Sequence, residues 1–243
     1  MVAKNFTKTT QNITCWAGVF YILATLAPIS TYIFFGLLIS DGTGEIPTDF
    51  LVRIAANETQ VIIGGLIELV YALAIIGIIA TLHPILKTHS PVLALSFFCL
   101  RFLEAIGVMF HSLFLFCLVT VSCEFTVSDA TALHFIGKLL LSAREWTFLI
   151  GSGIVWSLSA LILNILLYQN KLLPRWISAW GLVGATLSLI AYGLVFFHIN
   201  LPEVFYLPIG VQEMVFAGWL IVKGLASDAK HNTKKITTET RRS

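Results

Sequence analysis

Six apolar runs separated by shorter polar segments make up most of this chain, at about Cys15 to Leu38, Thr59 to Leu82, Val92 to Val121, Trp146 to Tyr168, Ile177 to Ile199 and Leu207 to Ala226. Each is long enough to cross a hydrocarbon layer of about 30 Å at about 1.5 Å per residue. An isolated span satisfies its backbone hydrogen bonds in lipid only as a helix, so the pattern predicts an all-α polytopic membrane protein with six transmembrane helices. Pro84, Pro91 and Pro174 punctuate short turns at one end of these helices and predict tight helical hairpins there. At the other end the connections are longer. Ser40 to Glu58 carries the turn formers Asp41-Gly42-Thr43-Gly44 and then an amphipathic stretch, Phe50 to Ala56. Ser122 to Glu145 holds a helical segment, Ala130 to Ser142, with Leu133, Ile136, Leu140 and Leu141 near one side. That segment either lies along the interface or extends the fourth span outward.

Composition agrees with this pattern and rules out a soluble domain: 57% of residues are hydrophobic and 12% charged, with a mean hydropathy of +0.88. Basic residues set the orientation. Lys4, Lys8, Lys87, Lys171, Arg175, Lys223, Lys230, Lys234, Lys235, Arg241 and Arg242 fall on the side of the termini, against Arg53, Lys138 and Arg144 on the other. By the positive-inside rule both termini are cytoplasmic, and the expected location is the inner (cytoplasmic) cell membrane. Residues 1–226 form the six-helix domain, and 227–243 read as a basic disordered tail attracted to anionic lipid, with no nucleic acid as partner. Four scattered cysteines, Cys15, Cys99, Cys117 and Cys123, give no disulfide framework. No cofactor-binding motif is present, and the expected partners are membrane lipids together with a small-molecule or lipid ligand.

The informative residues interrupt the apolar runs. Glu68, Arg101, Glu104 and Glu213 lie within spans two, three and six. A charge at the bilayer centre costs at least about 2.5–3.5 kcal/mol on insertion scales, so such residues pair, line water or do chemistry. Counted from the span ends, all four fall within about 6 Å of the midplane. On span three, Arg101, Glu104, Val108 and His111 follow i, i+3, i+7, i+10 spacing and share a face, predicted to look into the bundle. The candidate ligand- or proton-binding set is therefore Glu68, Arg101, Glu104, His111 and Glu213. One guanidinium cannot neutralise three carboxylates, which predicts at least one uncharged glutamic acid near neutral pH. Such a set suits a proton relay, a cation or amine site, or general acid catalysis; the structural alternative is that the charges only tie three helices together. No paired-histidine spacing points to a metal site. Gln60, Tyr71, Ser152, Ser157, Asn164, Ser188, Tyr192 and Gln212 are further polar groups within spans, the serines being best explained by bonds to their own helix backbone.

Spans two and six share the pattern Gly-x-x-Glu-x-Val-aromatic-Ala, at Gly65 to Ala72 and Gly210 to Ala217, and both run in the same direction. Other motifs recur along the chain: Gly18-Val-Phe-Tyr21-Ile-Leu23, Leu100-Arg101-Phe-Leu-Glu104-Ala105, Pro174-Arg175-x-x-Ser178 with Gly181 and Gly184, and Glu213 with Gly218-Trp219-Leu-Ile-Val-Lys223-Gly224. As a set they resemble a bacterial six-span integral membrane family catalogued as domain of unknown function 4386. The resemblance implies a shared architecture to which Arg101, Glu104 and Glu213 belong, and it implies no reaction. The leading expectation is a charged mid-bilayer pocket built by spans two, three and six that binds or passes a small cationic or proton-linked molecule. The alternatives are a membrane-embedded acid/base enzyme of isomerase or cyclase type on a lipid-soluble substrate, and an accessory or assembly protein with purely structural charges.

Overall fold

The computed structural model describes residues 2–39, 46–128, 131–199 and 201–226, so the basic tail lies outside the described residues. All regular structure among the described residues is helical. Helix α1 (Val2–Thr31) continues through a π-helical stretch, Tyr32–Gly36, into the short α2 (Leu37–Ile39). After the first long connection come α3 (Phe50–Ala56), α4 (Glu58–Leu86) and α5 (Pro91–Ser128). Helix α6 (Thr131–Phe148), a second π-helical stretch, Leu149–Val155, and α7 (Trp156–Gln169) run end to end. The chain closes with α8 (Arg175–Val195) and α9 (Leu207–Val222).

Among the described residues, five helical rods are long and apolar enough to span a membrane: Gln11–Gly36, Glu58–Leu86, Pro91–Thr126, Thr131–Gln169 and Arg175–Val195. Leu207–Val222 is a shorter apolar helix, and at 16 residues it reaches about 24 Å. The protein is a polytopic membrane protein on this pattern. Of the segment expected at Ala130 to Ser142, Ala130 lies outside the described residues, and from Thr131 on it is continuous with the fourth rod, whose 39 residues run to about 58 Å, well beyond a hydrocarbon layer. Two span ends come earlier than the apolar runs imply. Span five stops at Val195 because the chain turns at His198, which adopts a left-handed backbone with φ of 59°. Span six stops at Val222, where Gly224 takes φ of 69° and its N–H bonds the Trp219 carbonyl at 3.1 Å, a glycine-dependent helix stop.

The helices form a closed ring in which α1 packs on α4, α4 on α5, α5 on α6 and α7, α7 on α8, α8 on α9, and α9 back on α1. Closure between α1 and α9 depends on Gly18, where a Cβ would lie 2.6 Å from the Ala217 carbonyl oxygen. The half of the ring nearest the two chain ends, here the terminal end, is filled by Ala17, Leu82, Leu86, Ala94, Phe97, Leu166, Ile177, Ala217 and Leu220, all buried in one apolar cluster. At the opposite, far end, Phe50, Leu51 and Ile54 of α3 pack with Phe35, Leu115, Leu118 and Leu141 in a second cluster. Arg53 of α3 donates from Nε to Asp49, just before the helix, at 2.9 Å and holds that exposed carboxyl below its usual range. The four cysteines are free thiols.

Candidate functional site

The inward charges belong to two separate clusters, not one. At the level where α1, α4, α5, α7 and α9 meet, Arg101 donates from Nη1 to both Glu104 oxygens, at 3.1 and 3.3 Å. Its Nη2 reaches the Tyr21 hydroxyl at 3.3 Å and Glu213 Oε1 at 3.5 Å. The Tyr71 hydroxyl donates to Glu104 at 3.1 Å, and Trp156 Nε1 donates to Glu213 at 3.1 Å. The guanidinium also sits over the rings of Tyr21 and Phe97, 5.4 and 5.8 Å from their centroids. Arg101 and Glu104 are buried, at 2% and 0% exposure, and Glu213 retains 8%; Glu213 and Arg101 both line a cavity that Glu104 does not reach.

Nearer the far end, Arg144 of α6 grips Glu68 with both nitrogens, Nη2 to Oε1 and Nη1 to Oε2 at 3.0 Å, the forked geometry that makes Arg–carboxylate pairs strong. Ser112 Oγ donates to the same carboxylate at 3.0 Å. Arg144 and His111 are bound to each other's backbone: Arg144 Nη1 donates to the His111 carbonyl at 2.8 Å, and His111 Nδ1 donates to the Arg144 carbonyl at 2.9 Å. His111 Nε2 lies 3.5 Å from Glu68. The sequence places Arg144 among solvated outer charges. In the fold it is 6% exposed, with its guanidinium stacked 5.0 Å from the Phe35 ring centroid.

This arrangement corrects the single constellation expected at the midplane. His111 and Arg101 do share a face of α5, but ten residues separate them by about 15 Å along the axis. Glu68 therefore meets Arg144 instead of Arg101, and the pocket is walled by residues of all six rods instead of spans two, three and six alone. The charge count changes as well, since two guanidinium groups now face three carboxylates and the excess falls to one negative charge. Both glutamates of the Gly-x-x-Glu pattern point inward onto an arginine, Glu68 onto Arg144 and Glu213 onto Arg101. Among the described residues no group of three or more His, Cys, Asp and Glu side chains is disposed to hold a metal ion.

Three neighbouring cavities with shared wall residues lie along these clusters. The deepest, the floor chamber of about 170 Å³, is walled by Tyr21, Thr25, Tyr71, Trp156, Tyr192, Tyr206 and Glu213 among others. A middle chamber of about 230 Å³ passes Glu68, Tyr71, His111, Arg144 and Ser152. A vestibule of about 550 Å³ lies between Phe35, Ile39, Leu141, Trp146, Leu149, Val195 and His198. Phe148 lines all three. At the terminal end the apolar cluster below Tyr21 is packed, and toward the far end the cavities widen from about 170 to about 230 and 550 Å³, the outline of a blind well.

The second π-helical stretch shapes the wall. Twelve residues of α-helix would place Arg144 and Trp156 about 120° apart, but a π stretch that absorbs about one extra residue brings them to within about 20° on one face. Both then point into the ring. Gly107 of α5 admits this wide segment, since a Cβ there would lie 3.1 Å from Gly151 Cα. Of the other polar residues within spans, Tyr71, Ser152 and Tyr192 line the cavities. Ser157 bonds its own helix at Gly153, and Gln60 caps the Phe34 carbonyl. Gln212 joins Asn164 and the Ile177 carbonyl at 3.4 and 3.3 Å. Arg144 could have been found in the sequence: Gly137, Leu141 and Arg144 follow the spacing of one helix face and are its buried residues.

Against known proteins, residues 16–224 match a family model described as Domain of unknown function (DUF4386), a range that contains every residue of both clusters. No curated protein and no solved structure matches the chain.

Proposed function

The chain belongs to the DUF4386 family, and from that premise we propose that it is a six-span protein of the cytoplasmic membrane, both chain ends inside, that binds a small organic cation above Glu213. The orientation is supported by the basic residues at the terminal end, where Arg175 and Lys223 sit over the rings of Tyr168 and Trp219, a pairing suited to an anionic inner interface. On this orientation the blind well opens to the outside, and the sixth rod crosses with local thinning or help from the residues flanking it.

The observation that carries the reading is the placement of Glu213 in the floor chamber. Glu104 is sealed behind Arg101 and holds both its Nη1 contacts, whereas Glu213 shares that arginine only through a 3.5 Å bond and faces the cavity. The excess negative charge therefore lies where a ligand can reach it. Around it stand Tyr21, Tyr71, Trp156, Tyr192 and Tyr206, with Arg101 behind, and aromatic walls favour ammonium groups by cation–π attraction. Binding is favoured over passage because apolar side chains pack the terminal half. An acid/base enzyme on a lipid-soluble substrate is the second reading, favoured by the presence of the Glu213 carboxyl in one chamber with Tyr71, whose hydroxyl donates to Glu104.

Tetramethylammonium tests the reading directly. In purified protein it should raise the unfolding temperature saturably, beyond the effect of equal sodium chloride and of the neutral isostere tert-butanol. Glu213→Gln should remove that rise. A response equal to that of sodium chloride, or one retained in the variant, rules out the site.

A further inference from the structure

We propose that the natural occupant is an amphiphilic amine, with its ammonium head at Glu213 and an alkyl chain running through the middle chamber into the vestibule. The inference rests on the cation reading above and extends it to the whole ligand. A head group fills the floor chamber of about 170 Å³ but leaves empty the larger spaces of about 230 and 550 Å³ that adjoin it across the shared walls of Tyr71, Phe148, Ser152 and Tyr192. Their walls are chiefly apolar, with Phe35, Ile39, Phe148, Leu149 and Val195 among them. The guanidinium passed on the way, Arg144, is already neutralised by the forked contact with Glu68, and Arg101, which also lines the floor chamber, is held by both Glu104 oxygens. A cationic head therefore passes a neutral pair instead of a bare positive charge, which in so dry a place would repel it.

The sides of the well also suit entry from lipid. Tyr32 and Trp146 line it and yet are 60% and 46% exposed, and Phe148, common to all three cavities, is 36% exposed. In a membrane protein, side chains exposed at that level face acyl chains or the interface, where an amphiphile already resides. The packed terminal half offers no exit that way, so the ligand enters head first from the far end and its tail trails behind.

The test uses the full chain in phosphatidylcholine nanodiscs and dodecylammonium carrying a photoreactive diazirine near the chain end, with adducts mapped by mass spectrometry. Adducts are expected on Trp146, Phe148 and Tyr192, competed by unlabelled dodecylammonium, and reduced about tenfold or more in Glu213→Gln, as for removal of one partner of a buried charge pair. Val195→Trp, which fills the vestibule, should remove the same adducts in a protein whose unfolding temperature shows it to be folded. Adducts confined to lipid-facing residues such as Leu73 and Ile190, which are 69% and 53% exposed, or undiminished in either variant, overturn the proposal. If tetramethylammonium binds through Glu213 while the tail never labels the vestibule, the amphiphile is wrong and the cation site stands; if neither binds, both fall.

Discussion

At the scale of residues, the two arginines differ in what they leave available. Arg144 and Glu68 satisfy each other, with Ser112 and the His111 carbonyl completing the set, and they serve as a neutral structural tie. Arg101 holds Glu104 firmly and Glu213 loosely, which leaves one carboxyl for a ligand. Breaking the tie from one side strands a buried charge, so Arg144→Met should cost about 3–5 kcal/mol of stability, whereas Arg144→Met with Glu68→Gln should recover most of that loss. Unfolding in graded denaturing detergent measures both. A single variant as stable as the parent would show that water reaches the pair. Glu104→Gln should destabilise through the same mechanism, because it leaves Arg101 without its closest partner, while Glu213→Gln should change ligand response more than stability.

Among the elements, the π-helical stretch Leu149–Val155 decides the most, because it turns Arg144 and Trp156 onto one face and lays the backbone of Gly151 on Gly107. This contact is backbone against backbone, so no flexible side chain can yield. Gly107→Ala should therefore push α5 from the stretch and cost about 1–3 kcal/mol, as other overpacking changes do. Gly193→Ala on α8 meets nothing within 4 Å and should be neutral or slightly stabilising, since alanine favours helix. Equal effects of the two changes on unfolding temperature would remove the argument from close approach. Gly153 makes a related demand, since a Cβ there would sit 2.9 Å from the Tyr192 ring, a wall of the floor chamber.

For the whole molecule, the closed ring sets a filled terminal half against a hollow far half, and the biological meaning of that asymmetry depends on which side faces the cytoplasm. Burial of Arg144 takes one of three basic residues from the outer count and strengthens the expectation that both ends are inside. Single cysteines at Thr88 and Lys171, at the terminal end, and at Asp49 and Lys138, at the far end, can be placed in a background lacking Cys15, Cys99, Cys117 and Cys123. An impermeant thiol reagent added to intact cells should label only Asp49→Cys and Lys138→Cys. Labelling at Thr88→Cys would invert the molecule and turn the well toward the cytoplasm.

The sequence by itself determined the solvent, the helices and the rarest residues. Long apolar runs admit only membrane helices, and a charge inside such a run stands out whatever its partners, which is why Arg101, Glu104 and Glu213 could be named and do meet. Span ends were less legible, because helix length depends on turns such as those at His198 and Gly224 that interrupt an apolar run without changing its composition. The partners were decided only by tertiary structure. Arg144 and Glu68 lie 76 residues apart, and a basic residue just outside an apolar run reads as solvated until the rod containing it is seen to continue past the bilayer and turn through a π-helical stretch. A shared helix face says that side chains look the same way and leaves their depth unstated, so His111 and Arg101 fell to different clusters. The well itself has no sequence signal at all, since a cavity is the space that packing leaves, and only the mutual positions of all the helices define it.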